Sequence, residues 1–473
     1  MRRGASKGEL PERLSLVPGG PIDASPLKGA INRYADALIA DPASYPAVTA
    51  LLRRDLPAIQ GREPGTPLVD PAHDVVAATK TAVGGLQDSY LFIQGPPGAG
   101  KTYTASHVIV DLIRKGRRVG VSSNSHKAIN NLLAAVERVA ADEGVTFTGA
   151  KKASRQNAAS EFDGDQIQNV YSAGEIDGGM ALIAGTAWLF ADGDLDQAVD
   201  VLFVDEAGQV SLGNLVAMGT AVLNIVLVGD QMQLGQPIQG SHPGDSGMSV
   251  LEYLLREHAT IPPERGVFLE TTRRMHDDVC RFISDAVYDG RLQPHPSNAN
   301  RHLVLSDQAH AALKPSGISF VEMDHAGCTQ RSEAEAHTIR AMVDSLLQQR
   351  CTDLEGQAYE LTLDDILVVA PYNVQVNLLQ RMLPEGARVG TVDKFQGQEA
   401  AVVILSMTTS TPEDLPRHVE FLYRKNRLNV AVSRAQCLSV VVANPALLDL
   451  PCSTIEQMRL ANTLCWLRAY ADS

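Results

Sequence analysis

Residues 90–102 read YLFIQGPPGAGKT, and this stretch decides the fold expected for the chain. Its first five residues form an apolar run typical of a buried strand, and the residues from Lys101 onward have the apolar spacing of a helix. Glycines in the loop between them allow backbone N–H groups to curl around a phosphate, and the N-terminus of the helix adds partial positive charge. Strand, glycine-rich loop and helix in this order predict a nucleotide site rather than an ordinary turn.

The roles predicted within this loop follow from side-chain chemistry. The Lys101 ammonium would bridge the β- and γ-phosphates, and the Thr102 hydroxyl would ligate Mg²⁺. The residues predicted to hold the nucleotide are Gly95, Pro96, Pro97, Gly98, Ala99, Gly100, Lys101, Thr102 and Tyr103.

An acidic pair, Asp205 and Glu206, follows the apolar run at 201–204. Because the carboxyl ends of parallel strands meet at one edge of a sheet, these carboxylates would face the glycine-rich loop. Asp205 would hold Mg²⁺ through water, and Glu206 would orient and deprotonate the attacking water. Taken alone, such a pair is commonly a solvated strand end. The glycine-rich loop upstream favours the catalytic interpretation.

Short apolar runs alternate with helix-like segments from about residue 71 onward, which is typical of parallel α/β sheets. Two series of strands are predicted, and each is continuous in apolar residues. The first comprises 90–94, 118–123, 180–186, 200–207 and 224–230, and the second comprises 317–323, 365–371, 388–392, 400–407 and 437–444. The two series predict an α/β protein with two doubly wound domains and a cleft between them.

The composition along the chain predicts the domain boundaries. Residues 1–70 contain nine of the 25 prolines and are predicted to be a loosely packed leader or linker with short helices. The first domain would cover residues 71–268, with a polar insertion at about 135–180. The second domain would cover residues 269–450, and a C-terminal helix would occupy residues 451–473.

Composition and charge exclude several classes of protein. The formal net charge of −14 argues against a protein that coats nucleic acid through bulk charge, so any nucleic-acid contact must rest on placed residues. No apolar run approaches the roughly 18 residues that a membrane-spanning helix needs, and the start of the chain lacks the apolar region of a signal peptide. The six cysteines form no CxxC pair, which argues against a zinc ribbon and predicts a reducing, cytoplasmic location.

Further motifs follow the glycine-rich loop in a defined order. They read VLVGDQMQLGQP (226–237), TTRRM (271–275), VAPYNVQ (369–375), VGTVDKFQGQE (389–399) and RLNVAVSRAQ (427–436). Together with GPPGAGKT and DEA, they resemble the motifs of superfamily 1 helicases. Within that superfamily they are most similar to the 1B group, which contains the nonsense-mediated-decay RNA helicase and the nuclease–helicase of lagging-strand maturation. The resemblance covers about residues 90–445 and implies two tandem RecA-like P-loop NTPase domains that use ATP and Mg²⁺.

The resemblance also implies catalytic roles for residues outside the loop. Gln233 would sense the γ-phosphate and the substrate water through its neutral amide. Arg274 and Arg434 would reach the transferred phosphate from the second domain, because a guanidinium stays charged and binds phosphate bidentately. Gly397 and Glu399 would belong to the nucleotide site, where Glu399 would contact the ribose or couple the two sites. Taken alone, the glutamine could be a surface residue and the arginines could form helix-end ion pairs.

Hydroxyl and amide side chains at strand ends suit contacts to phosphate and sugar, which position a strand without reading its sequence. By resemblance, the nucleic-acid contacts would be Ser123, Asn124 and Thr186 in the first domain and Asn373, Thr391 and Lys394 in the second. Trp188 could stack on a base, but an aromatic residue after an apolar strand is more often part of the core.

The chain departs from the family pattern in two respects. Arg273 stands where many relatives carry a tyrosine, and no glutamine lies at the expected distance upstream of the loop to read adenine. In addition, the sequence shows no convincing nuclease motif and no cysteine spacing of an iron–sulfur cluster. These features are compatible with the helicase half of a longer nuclease–helicase.

The sequence therefore predicts an ATP-dependent helicase or translocase that moves along single-stranded nucleic acid. DNA is favoured over RNA, and the resemblance implies 5′→3′ movement. One alternative is an ATPase that remodels nucleoprotein without unwinding duplexes, and another is a non-catalytic platform that binds nucleotide or nucleic acid. A monomer is expected, and a nuclease module, in cis or in trans, is a candidate partner.

Overall fold

A computed structural model describes the protein at residues 23–70, 74–235, 242–256, 258–416 and 420–472. Within these residues the chain is an α/β structure built around two parallel sheets, which confirms the predicted fold class. Residues 1–22 of the predicted leader and the last two residues of the motif at 226–237 lie outside the described residues.

The first sheet carries the glycine-rich loop at its carboxyl edge. Its strands are β1 (Tyr90–Gln94), β2 (Val119–Ser122), β3 (Gly149–Lys152), β4 (Ile167–Val170), β5 (Leu182–Gly185), β6 (Val199–Val204), β7 (Val222–Gly229) and β8 (Gly266–Phe268). Their spatial order is β4-β3-β5-β2-β6-β7-β1-β8, and all the ladders are parallel. The loops after β1, β2, β6 and β7 therefore meet at one edge.

Helices cover both faces of this sheet. They are α1 (Ser25–Ala40), α2 (Pro46–Arg53), α3 (Val75–Gly84), α4 (Lys101–Arg114), α5 (His126–Asp142), α6 (Ala187–Phe190), α7 (Leu212–Gly219) and α8 (Val250–Leu255). In β1, Leu91 and Ile93 pack with α3, α4 and α5, whereas Phe92 packs with α1, α2 and α7. Because both faces are covered, the strand is buried at every residue, as its continuous apolar sequence predicts.

The polar segment predicted as an insertion contributes strands β3 and β4 to one edge of the sheet. Lys151 on β3 is fully buried and donates from Nζ to the carbonyl oxygens of Lys152 at 2.9 Å and Ser160 at 2.8 Å. Burial lowers the pKa of this lysine to about 8. These strands were missed in the sequence because they are short and largely polar.

Helices α1 and α2, within the predicted leader, pack against the first sheet and α7. Ala30 and Leu51 are fully buried. Arg33 and Tyr45 both donate to one carboxylate oxygen of Asp196, at 3.1 and 2.9 Å. The described part of the leader therefore contributes to the core of the first unit.

The chain then crosses to a second set of elements. These are β9 (Thr271–Thr272), α9 (Asp277–Val287), β10 (Gln293–Pro294), β11 (Leu303–Val304), β12 (Gly317–Glu322), α10 (Glu333–Leu346), β13 (Arg350–Thr352), β14 (Ala358–Glu360), β15 (Ile366–Val369), α11 (Asn373–Met382), β16 (Arg388–Gly390), β17 (Ala400–Ser406), α12 (Glu420–Tyr423), α13 (Lys425–Val432), β18 (Ala435–Ala443) and α14 (Ile455–Asp472). The second parallel sheet has the order β12-β18-β17-β15-β16.

Helix α14 packs on α9 and β12 and buries Leu464 and Leu467. None of the described helices combines enough length and apolar character to cross a membrane.

Candidate active site

The glycine-rich loop connects β1 to the first turn of α4. Gly98 and Gly100 have φ angles of +74° and +83°, a region that side chains with a Cβ rarely adopt. The Lys101 ammonium folds back over the loop and donates to the Gly95 carbonyl at 2.7 Å. Gly95, Pro96 and Pro97 are buried, Ala99 is half-buried, and Thr102 is exposed. Tyr103 is exposed, with its ring 4.1 Å from that of His107.

The segment that leads into the second unit lies directly on this loop. Thr272 donates from Oγ1 to the Pro97 carbonyl at 2.9 Å, and the Arg273 amide donates to the Gly98 carbonyl at 2.9 Å. A Cβ on Gly98 would lie 2.5 Å from the Cβ of Arg274. Glycine is therefore required at position 98 by the close approach as well as by the backbone angle.

Asp205 and Glu206 follow β6 and reach the same edge of the sheet. The Asp205 carboxylate is buried and accepts from the Glu206 amide at 2.9 Å, and Glu206 adopts a left-handed backbone with φ +51°. Burial, and then the charge of Glu206, raise the pKa of Asp205 to about 7, while that amide and the charge of Lys101 oppose the rise. Asp205 and Lys101 are thus electrostatic neighbours.

Arg274 pairs with Glu399 from the loop before β17. Its Nε donates to Glu399 Oε2 at 2.5 Å, and its Nη1 donates to the Ser433 carbonyl at 3.3 Å. Burial would raise the pKa of Glu399, but the Arg274 charge and hydrogen bond, with a further donor from Gln436, hold the pKa below its usual value. Gly397, two residues earlier, is exposed and has φ +78°.

Arg434 is 2% exposed and lies at the end of α13. Its Nε donates to the Val430 carbonyl and its Nη1 to the Gln398 carbonyl, both at 3.1 Å. Its Nη2 is buried and has no hydrogen-bond partner within the described part of the chain. Burial, and then the charge of Arg274, lower the pKa of Arg434 to about 9, whereas the negative charge of Glu206 acts to raise this pKa. The arginine of the second unit and the carboxylate of the first thus interact across the cleft.

Gln233 follows β7 and is almost completely buried. Its Nε2 donates to Asp230 Oδ2 at 2.9 Å. The same oxygen accepts from the Tyr288 hydroxyl at 2.6 Å, and Asn429 Nδ2 donates to that hydroxyl at 2.9 Å. Asn429 also donates to the Met232 carbonyl at 2.8 Å. The loop that carries Gln233 is therefore held by side chains of the second unit.

These contacts join most of the predicted catalytic residues. Gly98 lies against Arg274, the charge of Lys101 acts on the pKa of Asp205, and the charges of Arg274 and Glu206 act on the pKa of Arg434. Gln233 is joined to the others through Asp230 and Tyr288, whose ionisation also responds to the charge of Arg434.

The donor set fits a nucleoside triphosphate with Mg²⁺. The buried Asp205 carboxylate is destabilised by desolvation, which a divalent cation would relieve, and the unpartnered Nη2 of Arg434 suits a phosphate oxygen. Within the described ranges, no group of three or more histidine, cysteine or acidic side chains could hold a metal. A Mg²⁺ site at the loop would combine the Thr102 hydroxyl and one carboxylate with oxygens of the substrate.

The predicted nucleic-acid residues lie at the carboxyl edges of the two sheets. In the first unit Ser123 is buried with an unpartnered hydroxyl, Asn124 is exposed and Thr186 is half-buried. In the second unit Asn373 and Lys394 are exposed and Thr391 is half-buried. No hydrogen bond in the described structure joins the two sets.

In the sequence, Lys394 and Trp188 are both candidates for contact with a nucleic-acid strand. Lys394 donates from Nζ to the Val389 carbonyl at 3.0 Å and lies over the Phe395 ring. Trp188 packs against the core and donates to the Asp23 carbonyl at 2.9 Å, which favours a structural role.

Several supporting residues were missed in the sequence. Asn298 is buried and donates to the carbonyls of Thr272 and Met275, each at 2.9 Å. Arg301 donates to the Arg274 carbonyl at 2.7 Å. These side chains lie on the short 3₁₀ helix and the loop that follow β10, and they bind backbone carbonyls. No sequence motif marks such contacts. Asn429 lies inside the quoted motif at 427–436 and could have been singled out as a polar residue on a buried helix face.

The chain is similar to several known proteins. Two AAA domain models match consecutive parts of the chain. One matches residues 77–246 and the other matches residues 246–446. Among curated proteins, the DNA-binding protein SMUBP-2 of Rattus norvegicus is 28% identical over 438 residues, which covers 76% of this chain and 42% of that protein.

Two further relatives are named as helicases. The DNA polymerase alpha-associated DNA helicase A of Schizosaccharomyces pombe is 26% identical to this chain. The match covers 72% of this chain and 59% of that protein. The DNA replication ATP-dependent helicase/nuclease JHS1 of Arabidopsis thaliana is 24% identical and covers 75% of this chain and 27% of that protein. The matches thus span between 27% and 59% of the length of these relatives. The similarities confirm the predicted resemblance to superfamily 1 helicases.

Proposed function

We propose that this chain, a relative of the superfamily 1 helicases with two AAA domains, hydrolyses ATP and uses the energy to move along single-stranded nucleic acid. The observation that carries the proposal is the convergence of groups from both units on the glycine-rich loop. Arg274 packs against Gly98, and Arg434 interacts with Glu206 from across the cleft. A site completed by two units responds to their relative position.

In this proposal the loop from Gly95 to Gly100 holds the phosphates through its backbone amides, and Lys101 leaves the Gly95 carbonyl to bind them. Thr102 and Asp205 would hold Mg²⁺, which would supply positive charge against the phosphates. Glu206 orients a water and accepts its proton. Gln233 positions that water, and Glu399 and Gly397 lie toward the ribose.

Movement follows from the position of the arginines. Arg274 and Arg434 stabilise the charge that develops on the transferred phosphate, so hydrolysis requires the second unit to close on the first. Once the bond to the γ-phosphate is cleaved and the free phosphate leaves the site, the arginines lose the charge that held the units together, and the cleft reopens. Alternating contacts to the strand, by Ser123, Asn124 and Thr186 and then by Asn373, Thr391 and Lys394, would convert closure into a step.

We favour single-stranded DNA as the polymer, on the basis of the relatives named for DNA and for helicase/nuclease activity. The resemblance of the motifs to the 1B group is the basis for 5′→3′ as the direction. The same kinship supports a nuclease module as a partner, in cis or in trans. The two predicted domains, 71–268 and 269–450, correspond to the motor, which we propose acts as a monomer in the cytoplasm.

The test is steady-state ATP hydrolysis by the purified chain, alone and with single-stranded DNA or RNA, beside strand displacement on duplexes with a 5′ or a 3′ overhang. We expect stimulation by single-stranded DNA and displacement from the 5′ overhang. Stimulation without displacement would favour the remodelling ATPase. Nucleotide binding without hydrolysis under any condition would contradict the proposal and favour the non-catalytic platform.

A further inference from the structure

We propose that Tyr288 is a positioning residue that couples Gln233 to the second unit, an inference that rests on the proposed ATP hydrolysis. Tyr288 caps the C-terminus of α9, the helix that follows Arg274, and is fully buried. Its hydroxyl makes two hydrogen bonds of definite polarity. It donates to Asp230 Oδ2 and accepts from Asn429 Nδ2, which lies on the helix leading to Arg434.

The direction of these bonds can be assigned without ambiguity. A carboxylate has no proton to give, so the tyrosine must donate to Asp230, and the amide nitrogen of Asn429 must donate to the tyrosine oxygen. Burial, and then the charge and hydrogen bond of Asp230, raise the pKa of Tyr288 well above its usual value, so the hydroxyl keeps its proton. Asn429, Tyr288, Asp230 and Gln233 therefore form one uninterrupted chain of hydrogen bonds.

The chain spans the boundary between the two units. Asp230 and Gln233 belong to the loop after β7 of the first sheet, whereas Tyr288 and Asn429 belong to α9 and α13 of the second unit. Asn429 also binds the Met232 carbonyl, at 2.8 Å. A shift of α13 that moves Arg434 must therefore move the partners of Asp230.

Asp230 Oδ2 is shared by Tyr288 and Gln233. In the arrangement described here, the Gln233 amide is engaged by this carboxylate. The tyrosine holds the Asp230 carboxylate in place, and the carboxylate in turn orients the Gln233 amide. To reach a substrate water, this amide must leave the carboxylate. Tyr288 does not itself touch the predicted phosphate site, so it acts through Gln233 and is not a catalytic residue.

The variant Tyr288→Phe removes the hydroxyl and preserves the ring. Tyr423→Phe is a matched control, because Tyr423 is also fully buried in the second unit and its hydroxyl donates to the Leu447 carbonyl at 2.6 Å. We expect Tyr288→Phe to lower kcat about tenfold with the KM for ATP changed less than twofold, and Tyr423→Phe to keep both values within twofold.

A double-mutant cycle with Gln233→Ala distinguishes coupling from general damage. If Tyr288 acts through Gln233, Tyr288→Phe has little further effect on kcat in the Gln233→Ala background. If Tyr288→Phe lowered kcat equally in the wild-type and Gln233→Ala backgrounds, the inference would be overturned. It would also be overturned if Tyr288→Phe lowered kcat while Gln233→Ala alone kept normal turnover.

Hydrogen exchange of residues 230–235 gives a readout that does not require activity. Tyr288→Phe should accelerate exchange in this loop severalfold, whereas Tyr423→Phe should leave it unchanged. If the wild-type chain hydrolyses no ATP, the proposed function fails, yet faster exchange in Tyr288→Phe alone would still support the hydrogen-bonded coupling. Unchanged exchange would overturn the coupling whatever the activity.

Discussion

Arg274 donates from Nε to Glu399 Oε2 at 2.5 Å, and this contact gives the arginine a charged partner within the protein. The same side chain reaches the carbonyl of Ser433, the residue before Arg434. The two arginines are thereby held close together, and the charge of Arg274 helps to lower the pKa of Arg434. A phosphate that enters the cleft would compete with Glu399 for Arg274 and relieve this repulsion.

Replacement of either arginine should abolish turnover. Arg274→Ala and Arg434→Ala are expected to lower kcat about a thousandfold, because each removes a guanidinium that stabilises charge in the transition state. Arg274→Lys should not restore activity, since an ammonium cannot form the bidentate contact. The measurement is single-turnover hydrolysis at saturating ATP. The control is Arg468→Ala, which removes an arginine on α14 that pairs with Glu322 on β12, and it should stay within twofold of the wild type.

Gly98→Ala should damage the site beyond its effect on the backbone. The new Cβ would lie 2.5 Å from Arg274 Cβ and 2.6 Å from Thr272 Oγ1, at a φ angle of +74°. Gly116→Ala is the matched control, because Gly116 has the same φ angle and open space around it. We expect the control to lose about 1 kcal/mol of stability from its strained backbone. Gly98→Ala should lose more, together with measurable ATP binding. Equal losses would contradict the close packing of the loop against Arg274.

The buried Asp205 carboxylate should make stability fall as the pH rises. Its pKa is raised from the usual 3.8 to about 7, so between these values the folded chain holds a proton that the unfolded chain has lost. Relative to Asp205→Asn, the wild type should therefore lose up to about 1.4 kcal/mol per pH unit within that window, and little more above pH 7. The measurement is denaturant unfolding of both proteins from pH 5 to pH 8 without nucleotide. A constant difference between them would refute the raised pKa.

Lys394 should contribute to nucleic-acid affinity without affecting nucleotide binding. It is exposed at the carboxyl edge of the second sheet, where a phosphate could replace the Val389 carbonyl as its partner. Lys394→Ala is expected to reduce the slope of affinity against salt concentration, on logarithmic axes, by about one. Titrations with labelled single-stranded DNA measure this slope. Lys115→Ala, which removes an exposed lysine paired with Asp111, should leave it unchanged. If Lys115→Ala reduced the slope and Lys394→Ala left it unchanged, the predicted strand path would be excluded.

The sequence was most informative where strands are buried on both faces. β1 was predicted to its exact bounds, Tyr90–Gln94, and the other predicted strands are present within one to two residues at most ends. Such strands are continuous apolar runs and need no knowledge of their neighbours. The strands β3 and β4 lack this pattern, because each has only four residues and at least two of them are polar. β3 is largely buried although it contains two lysines, and β4 at the edge of the sheet buries only its first and last residues.

The site was predictable where a residue type is tied to its chemistry, as for Lys101 beside the glycines or Glu206 after a strand. It was not predictable where the function of a side chain depends on which carbonyl it reaches. Asn298, Arg301 and Tyr288 are ordinary residues in the sequence, and only the folded chain brings them to the arginine segment and to Asp230.

The most direct test of the central claim, hydrolysis of ATP at the cleft, is the turnover of the wild type, Lys101→Ala and Glu206→Gln with saturating single-stranded DNA. The account predicts that only the wild type turns over, with both variants reduced at least about a hundredfold, and that Glu206→Gln still binds ATP because the phosphate loop is intact. Wild-type turnover in either variant would contradict the account.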